Sequence, residues 1–199
     1  MKICIFGGAF DPVHKGHIKI AYSALETYNM DKLIFMVSKE PPHKSNHKVS
    51  FNHRFNMVKL VTDKYNYFDV TDIENKTNRL SYTYNSLLEL KKIYSGDKLY
   101  FLVGSDIFAT IKSWYKYDEL FELADFIVGY RPGISFNNMI EKLPANIKER
   151  VIKQNKIELF KLDNAVDISS SKIRENIENS KEYLPEMVYE YIKKNKLYL

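Results

Sequence analysis

The sequence has 199 residues, of which 45% are apolar and 14% aromatic, and its formal net charge is +5 at pH 7. This composition excludes global disorder, and the length predicts one domain over residues 1–199. Cys4 is the only cysteine, so an internal disulfide is excluded, and no apolar run approaches the roughly 20 residues of a membrane-spanning helix. The apolar stretch in MKICIFGGAF is also too short for a signal peptide. We therefore expect a soluble, cytoplasmic protein that binds no membrane.

The excess positive charge raises the question of an anionic partner. Part of it lies in a solvated stretch near the end of the chain, at Lys193, Lys194 and Lys196, and acidic residues are interspersed with basic ones elsewhere. This pattern favours a generic basic surface over a nucleic-acid interface, and no aromatic-basic motif of an RNA-binding module is present. We expect no nucleic-acid partner, although a small anionic ligand would need only a few of these charges.

Short apolar segments alternate with segments of helical periodicity along the whole chain. The predicted strands are residues 2–6, 32–38, 67–74, 98–104, 125–131 and 156–162. Helices are predicted after residue 17, from Ser50, over about 81–94, around 114–123, within 137–153, from Ser169–Ser170 and near Leu184–Pro185, where the proline suits the first turn.

The alternation predicts an α/β fold, Rossmann-like and doubly wound, with a mainly parallel sheet and helices on both faces. The strands are apolar on both faces, as expected when helices cover both sides of a sheet. In such folds ligands bind beyond the carboxyl ends of the strands, where the strand order reverses. Functional residues should therefore follow strands directly, as the polar or glycine-rich segments 7–17, 104–106 and 168–174 do.

The first of these segments, within FGGAFDPVHKGH, has the residues of an anion site. Gly7–Gly8 allow a sharp turn and a close approach of backbone to a ligand. His14 and His17, three residues apart at the start of a helix, can bring both imidazoles to one side, near free amides and the positive end of the helix dipole. Gly16 between them leaves room for a flat group. Imidazoles, amides and a flat slot together favour a nucleotide.

Other interpretations of these residues remain open. His14 and His17 could be metal ligands, but their spacing without a neighbouring cysteine or glutamate is weak evidence for zinc. Either histidine could also be purely structural. The dinucleotide fingerprint G-x-G-x-x-G is absent, which argues against a dehydrogenase.

GGAFDPVHKGH resembles the signature of the H-x-G-H nucleotidyltransferases, and most closely the form found in nicotinate-nucleotide adenylyltransferases. Ala9 stands where that family usually has threonine or serine. A second segment, ISSSKIRE (168–175), resembles the family's later phosphate-binding element, with Ser171 in place of threonine. From the residues alone, this segment offers hydroxyls, a helix cap and the guanidinium of Arg174 to an anion. The alternative is an ordinary capped helix with a solvated arginine.

Further segments resemble the same family, so that matches run from residue 2 to residue 175. They are the loop Pro41–Pro42–His43–Lys44, the segment Arg79–Leu80–Ser81–Tyr82–Thr83, Gly104–Ser105–Asp106, Trp114 and Arg131–Pro132–Gly133.

The resemblance implies an enzyme that joins ATP to nicotinate mononucleotide, giving nicotinate adenine dinucleotide and pyrophosphate in NAD biosynthesis, with Mg²⁺ accompanying ATP. It implies catalytic roles, through charge on the phosphates, for His14, His17, Lys44 and Arg174. It implies ATP binding by Gly8, Ala9, Phe10, Gly16, Gly104, Asp106, Ile168, Ser169 and Ser170, with Asp106 on a ribose. It implies mononucleotide binding by Thr83, Trp114 and Tyr115, and no protein residue as a metal ligand.

Alternatives within this chemistry are nicotinamide mononucleotide or phosphopantetheine as the acceptor. A non-catalytic nucleotide-binding module is the alternative of another class, and Trp114 could be a core residue rather than a ring-stacking one. The oligomeric state is left open.

Overall fold

Six β-strands lie within the part of the chain that the computed structural model describes, which comprises residues 1–39, 48–76, 81–130, 140–141, 143–153, 157–161 and 168–198. Their bounds are β1 Lys2–Gly8, β2 Lys32–Val37, β3 Phe68–Thr71, β4 Lys98–Gly104, β5 Asp125–Tyr130 and β6 Ile157–Lys161.

The helices of the same ranges separate these strands. They are α1 Lys15–Thr27, α2 Phe51–Thr62, α3 Thr83–Ile93, α4 Ser105–Phe108, α5 Tyr117–Leu123, α6 Ala145–Lys153, α7 Ser170–Glu175 and α8 Glu186–Lys194, with short 3₁₀ helices at Ile111–Ser113 and Lys181–Tyr183. Among the described residues, none of these helices has the length and apolar character needed to cross a membrane.

The strands form one parallel sheet in the order β3-β2-β1-β4-β5-β6. The central strand β1 pairs with β2 on one side and with β4 on the other, so the strand order reverses between β1 and β4. Their carboxyl ends, at Gly8 and Gly104, therefore flank the crevice where such sheets bind ligands. The predicted parallel α/β fold is confirmed.

Both faces of the sheet are buried, as the apolar strands predicted. In β1 the side chains of Ile3 and Ile5 belong to one core cluster, whereas those of Cys4 and Phe6 belong to the cluster on the opposite face. Because side chains alternate along a strand, continuous apolar sequence is what a strand covered on both faces requires. The rigid centre of the sheet thus carries the loop that follows Gly8.

Some predicted boundaries were wrong, each for a local reason. β1 continues through the adjacent glycines, with Gly8 aligned with Val37 of β2, so the turn begins after them. The helix predicted around Trp114 instead leaves Trp114 between a 3₁₀ turn and α5, because Lys116 adopts φ 52°, a left-handed conformation that interrupts a right-handed helix. Pro185 caps α8 rather than lying in its first turn.

Candidate functional site

The loop after β1 is shaped by the ring of Phe10. Phe10 has φ 49° and folds back so that a Cβ on Gly8 would lie 2.9 Å from its Cζ atom. Gly8 is therefore required by this close approach. Phe10 is only 2% exposed and its ring packs edge-on against Phe6 and His17, so it is a core residue.

His14 and His17 stack on each other at the start of α1. Their ring centroids lie 3.7 Å apart with an interplanar angle of 27°. His14 is the residue that caps the helix, and its backbone N–H donates to Nδ1 of His17 over 3.3 Å. An Nδ1 that accepts a hydrogen bond places the proton of a neutral imidazole on Nε2. His17 is thereby set up as a donor through Nε2.

Burial fixes the charge state of this donor. Desolvation, and secondarily the adjacent His14, hold the pKa of His17 well below its ordinary value. A neutral imidazole at pH 7 stabilises an anion by donating a hydrogen bond rather than by carrying a full positive charge. This refines the sequence-based expectation, which assigned the histidines to the phosphate charge without distinguishing the two.

Gly16 is needed for the histidine ring beside it. A Cβ at this position would lie 3.0 Å from both Cε1 and Nδ1 of His14, and 3.5 Å from Cγ2 of Ile168. Part of the slot predicted at Gly16 is therefore filled by the protein's own His14 side chain. The same contact brings the buried Ile168, which immediately precedes the serine segment, against the first turn of α1.

The serine-arginine segment packs directly on the N-terminal loop, 158 and 163 positions away in sequence. Ser170 donates through Oγ to the carbonyl oxygen of Pro12 over 2.9 Å, and Arg174 donates through Nη1 to that of Asp11 over 2.7 Å. Ser169 caps α7 by accepting the N–H of Lys172 at 3.3 Å. The two segments that resemble phosphate-binding elements thus lie against each other, with the arginine bound to the loop rather than free in solvent.

The Asp11 side chain, absent from the sequence-based set of site residues, is a centre of this loop. Its carboxylate oxygens accept a hydrogen bond from the Tyr198 hydroxyl at 2.6 Å and one from the backbone N–H of Lys48 at 3.0 Å. Asp11 is almost completely buried, and burial together with this bond raises the pKa of Tyr198. The residue lies in the FDP part of the signature. An acidic side chain among apolar ones is the sequence feature by which it could have been found.

Arg54 was also missed, although it is the largest fully buried side chain among the described residues. It extends from α2, and its guanidinium donates to the carbonyl oxygens of Ala9 at 2.8 Å, Ser38 at 2.6 Å and Lys39 at 3.3 Å. These carbonyls follow β1 and β2. Arg54 thus ties together the carboxyl ends of two neighbouring strands.

The carboxyl end of β4 presents a second group of predicted residues. No described atom outside its chain neighbours lies within 4 Å of a Cβ built on Gly104, and Asp106 in the following turn is exposed. The half-buried Trp114 packs edge-on against Phe101 and donates through Nε1 to Thr110 Oγ1 at 3.2 Å. Trp114 therefore has core contacts on one side.

The residues predicted to bind the mononucleotide meet through an aromatic pair. Thr83 begins α3, and the ring of Tyr82 immediately before it packs at a tilt of 35° against that of Tyr115, with ring centroids 4.7 Å apart. Tyr115 is 45% exposed, and it adjoins Trp114 in sequence. The segments containing Thr83 and Trp114 are thus joined, which their separation in sequence did not show.

Other predicted residues lie outside the described ranges. They are Lys44 with its loop 41–44, Arg79–Leu80 and Arg131–Pro132–Gly133. Within the described ranges no group of three or more histidine, cysteine, aspartate or glutamate side chains could hold a metal ion.

Comparison with known proteins agrees with this fold. The Cytidylyltransferase-like family model matches residues 5–176, from β1 to the end of α7. A Clostridium botulinum (strain Okra / Type B1) protein named "Probable nicotinate-nucleotide adenylyltransferase" is 39% identical over 98% of this chain and 97% of its own length. A Clostridium tetani (strain Massachusetts / E88) protein of the same name is 38% identical over 99% and 98%. The chain therefore belongs to the nicotinate-nucleotide adenylyltransferase family.

A solved structure shows the same fold. Plasmodium falciparum nicotinic acid mononucleotide adenylyltransferase complexed with NaAD superposes with a TM-score of 0.79 and 24% identity, over 99% of this chain and 97% of that chain. At this identity the likeness concerns the fold. The family suggested by the sequence motifs is confirmed, whereas the roles of individual site residues stay predictions.

Proposed function

We propose that the protein transfers the adenylyl group of ATP to nicotinate mononucleotide, giving nicotinate adenine dinucleotide and pyrophosphate, a step in the synthesis of NAD. One observation supports this most directly. The serine-arginine helix α7 lies against the histidine loop, through hydrogen bonds from Ser170 and Arg174 to the carbonyls of Pro12 and Asp11. Two anion-binding elements around one crevice suit a polyphosphate substrate.

The nucleophile in this reaction is an oxygen of the mononucleotide's own phosphate. It forms a bond to the α-phosphorus of ATP as the bond from that phosphorus to the bridging oxygen breaks, and pyrophosphate leaves with the electron pair. A phosphomonoester with a second pKa of about 6 is mostly ionised at neutral pH, so the reaction needs no protein base. The residues of the site position the reactants in line and stabilise the charge that spreads over the phosphates.

His17 has the chemistry for the second of these tasks. Its Nδ1 accepts the His14 N–H, which leaves Nε2–H as a donor of fixed orientation. A neutral donor held by stacking needs no reorganisation when charge develops on a phosphate oxygen. We assign this role to His17, with His14 beside it. We further propose that Lys44 and Arg174 contact the β- and γ-phosphates of ATP.

The remaining assignments complete the two substrate sites. We propose that Asp106 binds the ribose of ATP and that the segment Ile168–Ser170 binds its phosphates. Thr83, Trp114 and Tyr115 are then the residues that bind nicotinate mononucleotide. The exposed Tyr115 ring and its Tyr82 partner offer aromatic surface beside Thr83, which suits a planar pyridine.

Mg²⁺ would enter with ATP as part of the substrate. A magnesium ion commonly binds phosphate oxygens and waters with only one or two protein carboxylates. The donor groups of the described site, which are imidazoles, hydroxyls, amides and a guanidinium, suit phosphate oxygens rather than the ion itself. We therefore propose that the ion is held chiefly by the phosphates it neutralises.

The decisive experiment measures pyrophosphate release from Mg-ATP with nicotinate mononucleotide, nicotinamide mononucleotide or phosphopantetheine as acceptor. We expect release with the nicotinate compound at the highest kcat/KM, and formation of the matching dinucleotide by chromatography. A preference for another acceptor would change the substrate and keep the reaction. ATP binding without pyrophosphate release with any acceptor would show a non-catalytic module and overturn the proposal.

A further inference from the structure

A buried polar network crosses the carboxyl ends of β1, β2 and β3. Its first member, Arg54, is 1% exposed and donates hydrogen bonds to the carbonyl oxygens of Ala9, Ser38 and Lys39. Ala9 belongs to the loop assigned above to ATP. Arg54 therefore fixes that loop relative to the end of β2.

The second charged member is Glu74, which follows β3. Its Oε2 accepts the backbone N–H of Lys39 at 3.2 Å, and its Oε1 accepts the hydroxyl of Ser86 from α3 at 2.9 Å. The hydroxyl oxygen of Ser81 accepts the same Lys39 N–H at 3.2 Å. Ser81 lies two residues before Thr83, in the segment assigned above to the mononucleotide. Glu74 thus fixes the other substrate segment to Lys39, just beyond the end of β2.

The two charged side chains meet at one residue. The Lys39 carbonyl is held by the guanidinium of Arg54 and the Lys39 amide by the carboxylate of Glu74. Burial lowers the pKa of Arg54 and raises that of Glu74, and in each case the charge of the other residue opposes the effect. Asp11 also opposes the effect of burial on Arg54, and hydrogen bonds from Ser81, Ser86 and the Lys39 N–H oppose it on Glu74. Removing one charge therefore leaves the other buried with less compensation, which is costlier than losing an exposed ion.

We propose that Arg54 and Glu74 act as one positioning unit that sets the ATP loop and the mononucleotide segment at the distance needed for in-line attack. Neither residue is proposed to touch a substrate. The inference rests on the proposed function, since it concerns two substrates that must react with each other. A small displacement between reacting groups is enough to slow such a step greatly.

The test uses Arg54→Lys, Glu74→Gln and the double variant, with kcat and KM measured for ATP and mononucleotide separately and the melting midpoint recorded. We expect each single change to lower kcat/KM by about ten- to a hundredfold for both substrates. Glu74 bonds to Lys39, to Ser81 and to Ser86 of α3, so an effect on ATP is the particular sign of a shared unit. The kcat/KM of the double variant should exceed, by at least about threefold, the value obtained by multiplying the two single effects.

A surface pair of the same residue types provides the control. Arg150 Nη1 lies 2.8 Å from Oε1 of the exposed Glu122, away from the crevice. Arg150→Lys and Glu122→Gln should leave kcat/KM within about twofold of the unsubstituted protein and combine additively, as expected of a pair whose carboxylate is exposed to solvent.

Ser86→Ala covers the case in which the charge variants do not fold. It removes no charge, only the hydroxyl that donates to Glu74 at 2.9 Å and at the longer distance of 3.4 Å to the Tyr82 carbonyl. We expect kcat/KM for ATP to fall by about two- to tenfold. An unchanged value for ATP, additive effects in the double variant, or a lowered melting midpoint with unaltered kinetics would each overturn the positioning unit. If the protein without substitutions releases no pyrophosphate, the proposed function is overturned instead. The dissociation constants of ATP and mononucleotide for the same variants would then test the positioning unit.

Discussion

Tyr198 provides a sharp test of how the histidine loop is held. Its hydroxyl donates to Oδ1 of Asp11 at 2.6 Å, while Oδ2 accepts the Lys48 N–H. Tyr198→Phe removes this hydroxyl and retains the ring, which packs at the edge of the core. The substitution therefore isolates one hydrogen bond to a buried carboxyl group from the packing of the side chain that makes it.

The size of the effect can be bounded from the surroundings. A hydrogen bond to a charged group contributes about 1.5–3 kcal/mol to stability. Asp11 retains the Lys48 N–H and Tyr198 is only partly buried, so we expect the lower part of that range, about 1.5–2 kcal/mol. With a urea m-value of about 2 kcal/mol/M, the unfolding midpoint should fall by roughly 0.8–1 M, measured by equilibrium denaturation.

Tyr189→Phe is the matched control. The Tyr189 hydroxyl also donates to a carboxylate, that of Glu178, at 2.5 Å, but Glu178 is exposed and also pairs with Lys193. Solvent screens this bond and can replace it, so we expect a midpoint change less than about half of that at Tyr198. Equal changes in the two variants, or no change at Tyr198, would refute the view that Asp11 is a buried anchor of the loop.

Three further predictions concern the histidine pair. His17→Ala should lower kcat of pyrophosphate release by about a hundredfold or more, with the ATP dissociation constant from calorimetry changing little; equal losses in both would show a ground-state contact instead. Because the folded protein keeps His17 neutral, the unfolded chain binds the additional proton as pH falls below about 6.5, so stability should decrease from there toward the lowered pKa. Melting curves across that window should show this slope, and His17→Asn should flatten it. Gly16→Ala should push the His14 ring off its stack and cost about 1–3 kcal/mol, measured by urea unfolding together with reduced kcat; an unchanged kcat would show that the stack is dispensable.

The fold was predictable because its signals are local and repeated. Continuous apolar strands such as 98–104 allow only a sheet covered on both faces, and the polar residues after them indicate its functional edge. The errors lie where a single backbone conformation decides the outcome. Lys116 in a left-handed conformation interrupts a helix without any glycine to mark the place.

Candidate site residues can be identified in the sequence where side chains carry the chemistry. His14 and His17 at the start of α1, and Arg174 in α7, stand out because imidazole and guanidinium groups in glycine- or serine-rich segments have few purely structural reasons to occur there. Arg54 could have been found by its spacing, since it lies four and seven residues before the apolar Val58 and Val61 on the same face of α2. A charged residue on an apolar helix face indicates a side chain that makes buried hydrogen bonds.

The hydrogen-bond partners of Arg54 explain why they could not be predicted from the sequence. It binds the backbone carbonyls of Ala9, Ser38 and Lys39, and a carbonyl is available whatever the side chain at that position. The same reasoning bears on Ala9, where the signature that this segment resembles usually has threonine or serine. The contact that Ala9 makes to Arg54 uses its main chain, so the missing hydroxyl leaves this anchor of the ATP loop intact. Variation is therefore tolerated at Ala9 by the network that holds it, whereas the donor at position 54 has no substitute with the same reach and fork of N–H groups.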